Sequence, residues 1–127
     1  MKRHSRVGYA AFDELSIQEH NDCAVRSVAT AACIPYADSW ALFTEEGRSP
    51  RARTSTEIMA KVIKRLFPAH QTLFLNQRLT LSQFAEQHPE GHWVLVTCDH
   101  AFALCDGITY DWSYRPRCRI RWAWRIV

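Results

Sequence analysis

Apolar residues recur at helical spacing through the first half of the chain. After Asp22, small and branched apolar residues return every three or four positions, which predicts a helix over about 22–32. Asp22 is predicted to cap this helix, because its carboxylate can accept the free backbone N–H groups of the first turn. Ile34-Pro35 ends the helix, and a second one is predicted over 36–46 with Gly47 as its left-handed C-terminal residue.

A third helix is predicted shortly before the middle of the chain. Its start is marked by a capping box at 54–57, in which a hydroxyl accepts a backbone N–H and Glu57 reaches back. Pro68 ends this helix, because proline cannot continue it. One face is apolar and consists of Ile58, Met59, Val62, Ile63 and Leu66.

The period of the pattern changes in the second half. Short strands are predicted over 71–75, 92–97, 100–105 and 108–113. A second capping box, at 80–83, begins a short helix that ends before Pro89. Asp106-Gly107 predicts a two-residue hairpin turn, because both residue types tolerate the positive φ angles that such a turn needs.

The C-terminal residues alternate between two kinds of side chain. Cys118, Ile120, Trp122, Trp124 and Ile126 are predicted to point one way, and Arg117, Arg119, Arg121 and Arg125 the other. Such alternation predicts a strand over 117–127, with its tryptophans on the buried face. Helices followed by an antiparallel meander predict one α+β domain over 1–127.

Composition places the chain among globular proteins. Of its 127 residues, 47% are hydrophobic and 23% are charged, as in a domain with a single core. Charged residues interrupt every apolar run before it reaches the length needed to cross a membrane. No apolar segment follows the basic N-terminus, as one would in a secretory signal. We therefore expect a cytoplasmic protein without a membrane partner.

The cysteines and histidines do not predict a metal site. The five cysteines are an odd number without a compact spacing, which indicates reduced thiols in a chain without a secretory signal. No Cys-x-x-Cys pair is present, and the six histidines are scattered. We expect neither a metal nor another cofactor.

Cys23 is the strongest candidate for a reactive group. It lies in the first turn of a predicted helix, where the partial positive charge of the helix end favours a thiolate. It is therefore a candidate nucleophile. The alternative is a cysteine that only packs, because free cysteines are among the most buried residues.

The predicted hairpin places two partners for such a thiol on one face. With a two-residue turn at 106–107, the position numbers of paired residues sum to 213, so Phe102 lies opposite Asp111. His100 is then diagonal to Asp111 on the same face, close enough for an imidazole to meet a carboxylate. A slip of one residue would put them on opposite faces. With Cys23, they provide a nucleophile, a base and an acid that orients the base.

These residues carry a resemblance to the papain-like cysteine peptidases. Asn21-Asp22-Cys23, His100-Ala101-Phe102-Ala103 and the hairpin that ends at Asp111-Trp112 are similar to small papain-like proteins encoded by bacteriophages, and to double-glycine leader peptidases. The resemblance covers about 18–33 and 92–113. It implies N-terminal helices packed on an antiparallel sheet, with Cys23 as nucleophile, His100 as general base and acid, and Asp111 orienting His100.

The resemblance also implies a side chain that helps to hold the oxyanion. In this family an upstream glutamine does so, which corresponds to Gln18. Gln18 lies five residues before Cys23 where the family usually has six, and Ala24 replaces a glycine that often follows the cysteine. Asn21 is a substitute donor, beside the backbone N–H of Cys23.

The expected function is hydrolysis of a peptide, isopeptide or other amide bond in a peptide or protein, in the host-cell cytoplasm if the protein is phage-encoded. Cys23 would attack the carbonyl, His100 would protonate the leaving amine, and water would release the acyl group. Acyl transfer or glutamine deamidation by the same residues is a second hypothesis. A third is an inactive papain-like domain that binds a host protein or nucleic acid.

A stripe of arginines near the C-terminus is the argument for nucleic acid. The net charge of +3 is too modest to indicate such a partner by itself. Basic groups along one strand face would suit phosphates, yet arginines are also common on the solvent face of an edge strand. The stripe consists of Arg115, Arg117, Arg119, Arg121 and Arg125.

Overall fold

The structure, a computed structural model, describes residues 3–5, 21–111 and 115–126, with the backbone alone at 3–5, 76 and 77. Within these residues the chain forms four helices and six strands, which confirms the α+β prediction. The helices are α1 Cys23–Ala32, α2 Tyr36–Glu45, α3 Thr56–Leu66 and α4 Leu81–Gln87. The strands are β1 Arg3–Ser5, β2 Gln71–Thr80, β3 His92–Val96, β4 Ala101–Cys105, β5 Ile108–Tyr110 and β6 Arg119–Arg125.

The strands form one sheet in the order β1-β5-β4-β3-β6-β2. The pairs are antiparallel except β1 with β5, which are parallel. In the hairpin of β4 and β5, Ala103 pairs with Tyr110 and Cys105 with Ile108, which is the predicted register. The turn has the predicted chemistry, because Asp106 and Gly107 both have positive φ angles, of 49° and 82°.

Apolar side chains cover both faces of the sheet. On one face, Val94, Ala103 and Trp124 pack with buried residues of α1, α2 and α3. On the other, Trp93, Leu95, Phe102 and Leu104 pack with Leu81 and Phe84 of α4. The strands β3 and β4 are therefore apolar at nearly every position, as strands buried on two sides must be.

The last strand differs from its prediction in two respects. It lies between β3 and β2, so the interpretation of its arginines as the solvent face of an edge strand is wrong. Ala123, on the face predicted to carry arginines, is fully buried against the α4 side. Trp124 is buried as predicted, whereas Trp122 is only partly buried.

Of the two predicted capping boxes, one needs correction and one is confirmed. Ser55, and not Thr54, caps α3, because its hydroxyl accepts the backbone N–H of Ile58 at 3.2 Å. The capping box of α4 is confirmed, with Thr80 and Gln83 bonded reciprocally at 3.2 and 3.0 Å. Strand β2 runs on to that box and is twice as long as predicted, with an irregularity between Phe74 and Leu79.

Asp22 precedes α1 but does not cap it with its side chain. The carboxylate instead accepts hydrogen bonds from Arg26 Nε at 2.9 Å and from Tyr36 Oη at 2.8 Å. Because Tyr36 begins α2 and is fully buried, this arrangement ties the start of α1 to the second helix. No helix among the described residues is long and apolar enough to cross a membrane.

Candidate active site

Cys23 is the first residue of α1. The helix cannot begin earlier, because Asn21 has a positive φ of 56° and Asp22 is also outside the helical region, at φ −102° and ψ 19°. The thiol is therefore close to the backbone N–H groups of the first turn, which have no partners within a helix. Its side chain is partly buried against the main core cluster.

His100 lies at the end of the short turn that joins β3 to β4. The backbone N–H of Thr97 donates to the His100 carbonyl at 2.8 Å, which closes the turn immediately before β4 begins. The imidazole stacks on Phe102, with ring centroids 5.8 Å apart and an interplanar angle of 28°. These two contacts hold the imidazole at the start of β4, where it lines the same cleft as the first residue of α1.

Asp111 lies directly after β5, where the hairpin register predicts it. Its Oδ1 is 2.6 Å from Nε2 of His100, and its side chain is only 8% exposed. A carboxylate accepts, so Nε2 carries the proton in this hydrogen bond. The other ring nitrogen, Nδ1, is then the one available to the thiol of Cys23.

The pKa values of His100 and Cys23 move in opposite directions. The hydrogen bond to Asp111, followed by that to Cys23, raises the pKa of His100 to about 9. Burial acts to raise the pKa of Cys23, but hydrogen bonds from His100 and from the Ala101 backbone N–H outweigh it, so that pKa is lowered. The geometry therefore favours a thiolate–imidazolium pair, which is the reactive form of a cysteine nucleophile.

The neighbouring carboxylate does little to oppose this pair. Asp22 is next to Cys23 in sequence, and its negative charge alone would disfavour a thiolate. Its bonds to Arg26 and Tyr36 compensate that charge and keep the carboxylate oriented towards α2.

The thiol and the imidazole line a cleft of about 590 Å³. Its walls come from the start of α1, the loop before α3, the turn between β3 and β4, and β6. Arg53 and Arg121 are among the lining residues, and so is Asp99. A second, mainly apolar hollow of about 450 Å³ shares Thr56 and Trp122 with the cleft.

The two residues predicted to help with the oxyanion have different outcomes. Gln18 lies outside the described residues. Asn21 lines the cleft, and one N–H of its amide donates to the Arg51 carbonyl at 3.2 Å. Asn21 thus connects the start of α1 to the arginine-containing loop before α3, and its second amide N–H is left for another acceptor.

A second group of the same three residue types lies at the other end of α1. Cys33 Sγ is 3.9 Å from Nδ1 of His92, and Nε2 of His92 is 3.6 Å from Oδ2 of Asp106. Sequence reasoning did not find this group. No local pattern in the sequence marked it, because Asp106 lies near His92 only through Cys105, which precedes Asp106 and is the cross-strand partner of His92.

The arginine stripe is dispersed in three dimensions. Arg119 Nη1 donates to the Arg78 carbonyl at 2.8 Å. Arg125 lies over the ring of Trp93, 5.9 Å from its centroid, while Arg121 lines the cleft. Sequence reasoning noted the arginines of the stripe, but did not predict that Arg121 shares the cleft with Arg53 and Cys23.

Among the described residues, no cluster of three or more His, Cys, Asp or Glu side chains is arranged to hold a metal ion. Burial raises the pKa of Cys105 to about 12, and it raises the pKa of Cys118 as well, so burial opposes ionisation of both thiols.

No protein-family model matches the chain, and no match was found among curated proteins or solved structures.

Proposed function

We propose that the protein is a papain-like thiol hydrolase that cleaves an amide bond in a peptide or protein. The observation that carries this proposal is the series of contacts from Asp111 through His100 to Cys23 at the start of α1. A packing cysteine would not need a histidine whose second nitrogen is bonded to a buried carboxylate.

The first half of the reaction follows from the ionised pair. The Cys23 thiolate attacks the carbonyl carbon, and the backbone N–H of Cys23 is one donor for the oxyanion that forms. Gln18 and Asn21 are the proposed side-chain donors. His100 then gives its Nδ1 proton to the leaving amine, which departs and leaves a thioester on Cys23.

The second half returns the site to its starting state. Neutral His100 takes a proton from water, the hydroxide attacks the thioester carbonyl, and the carboxylic acid leaves. Asp111 keeps the imidazole in one tautomer and orientation through both halves, and stabilises the imidazolium. The same acyl-enzyme passed to an amine would give acyl transfer, and the same attack on a glutamine amide would give deamidation.

The sequence resemblance supports the same assignment. Papain-like peptidases also have the cysteine at a helix start and the histidine ahead of a strand whose hairpin partner carries the acid. On that resemblance we further propose that the protein is phage-encoded and acts on a peptide or protein in the cytoplasm of the host cell.

The test is a search for cleavage that depends on Cys23. The full chain is incubated with a proteome-derived peptide library, and new termini are identified by mass spectrometry. We expect termini that appear with the wild type and with Cys33→Ala, but not with Cys23→Ala. Acid quenching should trap an acyl adduct on Cys23. Glutamine residues converted to glutamate with release of ammonia, seen as a gain of about one mass unit without new termini, would instead identify deamidation.

The proposal is wrong if wild type and Cys23→Ala give the same peptides and no adduct forms. Binding of nucleic acid that weakens steeply with salt would then favour the inactive binding domain.

A further inference from the structure

Two positively charged side chains line the cleft that contains the thiol. Arg53 belongs to the loop that leads into α3, and Arg121 belongs to β6, so they come from separate parts of the fold. Strand β6 reaches the cleft because Trp122 pairs with Val96, the last residue of β3. The β3–β4 turn that ends at His100 begins immediately after Val96.

Neither guanidinium has an ion pair, a hydrogen bond or an aromatic partner within the part of the chain that the structure describes. Other arginines are engaged: Arg26 with Asp22, Arg65 with Glu45 and Glu46, and Arg125 with Trp93. The two arginines of the cleft are thus available to an anionic ligand.

The acids of the same cleft do not compensate both arginines. Asp22 is already bonded to Arg26 and Tyr36. Asp99 is exposed and accepts a hydrogen bond from the Thr97 hydroxyl at 3.3 Å, with no ion pair to an arginine within 4.0 Å among the described residues. The thiolate of Cys23 lies beside the imidazolium of His100, so among the described lining residues Asp99 is the acid left to face two arginines.

We propose that Arg53 and Arg121 select a substrate that carries a carboxylate close to the bond that is cleaved, either an acidic side chain or a chain end. A guanidinium matches a carboxylate with two parallel hydrogen bonds, which lysine cannot reproduce. This inference rests on the proposed function, because it names the substrate class of the same site.

The experiment compares two alkylating reagents of nearly the same size. Iodoacetate carries a carboxylate and iodoacetamide does not, and the ratio of their rates at Cys23 divides out any change in thiol reactivity common to both. The ratio is measured by peptide mapping in wild type, Arg53→Gln, Arg121→Gln and the double variant. Exposed Arg117, which does not line the cleft, supplies the matched control Arg117→Gln.

We expect each single substitution to lower the iodoacetate-to-iodoacetamide ratio about threefold, and the double substitution about tenfold. A threefold change corresponds to one unit charge about 7 Å from the carboxylate of the reagent at the dielectric constant of water. Raising the salt concentration should reduce the effect, because exposed charges are screened. Arg117→Gln should keep the wild-type ratio, as should exposed Cys33 in every variant. A double lysine variant should keep only part of the preference, because it retains the charge but not the two parallel hydrogen bonds of a guanidinium.

The inference is overturned if Cys23 reacts faster than Cys33 but its ratio is the same in wild type and in the double glutamine variant. That result would leave the proposed function intact. Equal and slow reaction of Cys23 and Cys33 with both reagents would instead contradict the proposed function. Peptidyl chloromethyl ketones that differ only in Glu or Gln beside the warhead provide the second measurement, and the Glu reagent should lose its advantage in the double glutamine variant.

Discussion

The two ends of α1 carry the same three residue types in different arrangements. Cys23, His100 and Asp111 meet at its N-terminal end, and Cys33, His92 and Asp106 at its C-terminal end. The first group is a candidate catalytic site. The second shows which further features such residues need before they can act together.

The first difference concerns the acid. Asp111 is 2.6 Å from its histidine and its side chain is 8% exposed. Asp106 is 3.6 Å from its histidine, is 65% exposed, and its other oxygen accepts the Gly91 N–H at 2.8 Å. Asp106 therefore fixes a loop, whereas Asp111 orients an imidazole.

The second difference concerns the proton on the histidine. Nδ1 of His92 is 2.8 Å from the Ala31 carbonyl, which can only accept, so Nδ1 carries a proton. It therefore has no lone pair with which to take the proton of Cys33. In His100 the proton lies on Nε2, towards Asp111, and Nδ1 is left to serve the thiol.

The third difference is the position on the helix. The N-terminal end of α1 favours the thiolate of Cys23, whereas Cys33 lies beside the carbonyl groups that end the helix. Its thiol is 3.8 Å from the Thr30 carbonyl, which is an acceptor that keeps the proton on sulfur. The same residue types therefore do not suffice for a reactive cysteine. The nitrogen that faces the thiol must be free to take its proton, and the thiol must lie at the N-terminal end of the helix.

The largest expected effect comes from removing each histidine. His100→Ala should slow the alkylation of Cys23 by iodoacetamide at pH 6 about 100-fold, because the imidazolium that stabilises the thiolate is lost. His92→Ala should leave the rate at Cys33 unchanged. Quantitative peptide mapping checks both rates in one digest, and a similar loss in the two variants would contradict the comparison.

Removing each acid should separate the two groups again. Asp111→Asn should lower the pKa of His100 from about 9 by about 1 to 3 units, because the carboxylate is the main stabiliser of the imidazolium. Asp106→Asn should leave the pKa of His100 in place. Imidazole ¹⁵N chemical shifts measured against pH give this pKa, and an unchanged value in Asp111→Asn would refute the assigned role.

His100 and Cys23 should each make the free energy of unfolding depend on pH, with opposite signs. The raised pKa of His100 stabilises the folded state below pH 6.5, and this contribution is lost as the pH rises through about 9. The lowered pKa of Cys23 acts in the opposite sense, because the folded thiol has released a proton that the unfolded thiol keeps. The two proton counts cancel wherever both groups are charged.

Cys23→Ala should therefore expose the contribution of His100. The pKa of His100 in this variant lies above 6.5 but below about 9, because the contribution of Cys23 is gone. Between pH 6.5 and that pKa the unfolded state binds fewer protons than the folded state, so the free energy of unfolding should fall with pH. A difference of one proton gives a slope of at most about 1.4 kcal/mol per pH unit, and solvent screening of the partly exposed ring narrows the pH range over which the slope applies. Urea denaturation of Cys33→Ala should show no such slope, and a slope shared by both variants would exclude the ion pair.

The smallest effects concern how the two ends of α1 are anchored. Tyr36→Phe removes a buried hydrogen bond to Asp22 and should lower the free energy of unfolding by about 1 kcal/mol. Cys33 has a φ of 56°, which glycine adopts without strain. Cys33→Gly should therefore raise the free energy of unfolding by up to about 1 kcal/mol. Chemical denaturation checks the signs, and equal signs would contradict this account of the two ends.

Local signals in the sequence predicted the parts of the fold that depend on neighbours along the chain. The α4 capping box and the Asp106-Gly107 turn are confirmed, because each is completed by residues within a few positions of one another. The order of the strands is not local. Nothing in the alternation of β6 indicates that it lies between β3 and β2, and its edge-strand interpretation failed for that reason.

The candidate site follows the same rule. The register of one hairpin was enough to place His100 near Asp111, since His100 directly precedes β4 and Asp111 directly follows its partner β5. Tyr36 as a partner of Asp22, and Arg53 with Arg121 in the cleft, depend on how separate elements pack. Side-chain partners across such distances have no periodic signal in the sequence.

The most direct measurement is the pH dependence of alkylation at Cys23 and Cys33 in the same sample of the wild-type protein. A thiol that reacts only after ionising in water loses about tenfold in rate for each pH unit below its pKa. From pH 8 to pH 6, we predict a loss of less than about tenfold at Cys23, whose thiolate is paired with His100, and a steeper loss at Cys33. Parallel losses at the two cysteines would show that the contacts around Cys23 do not activate it, and would contradict the central claim.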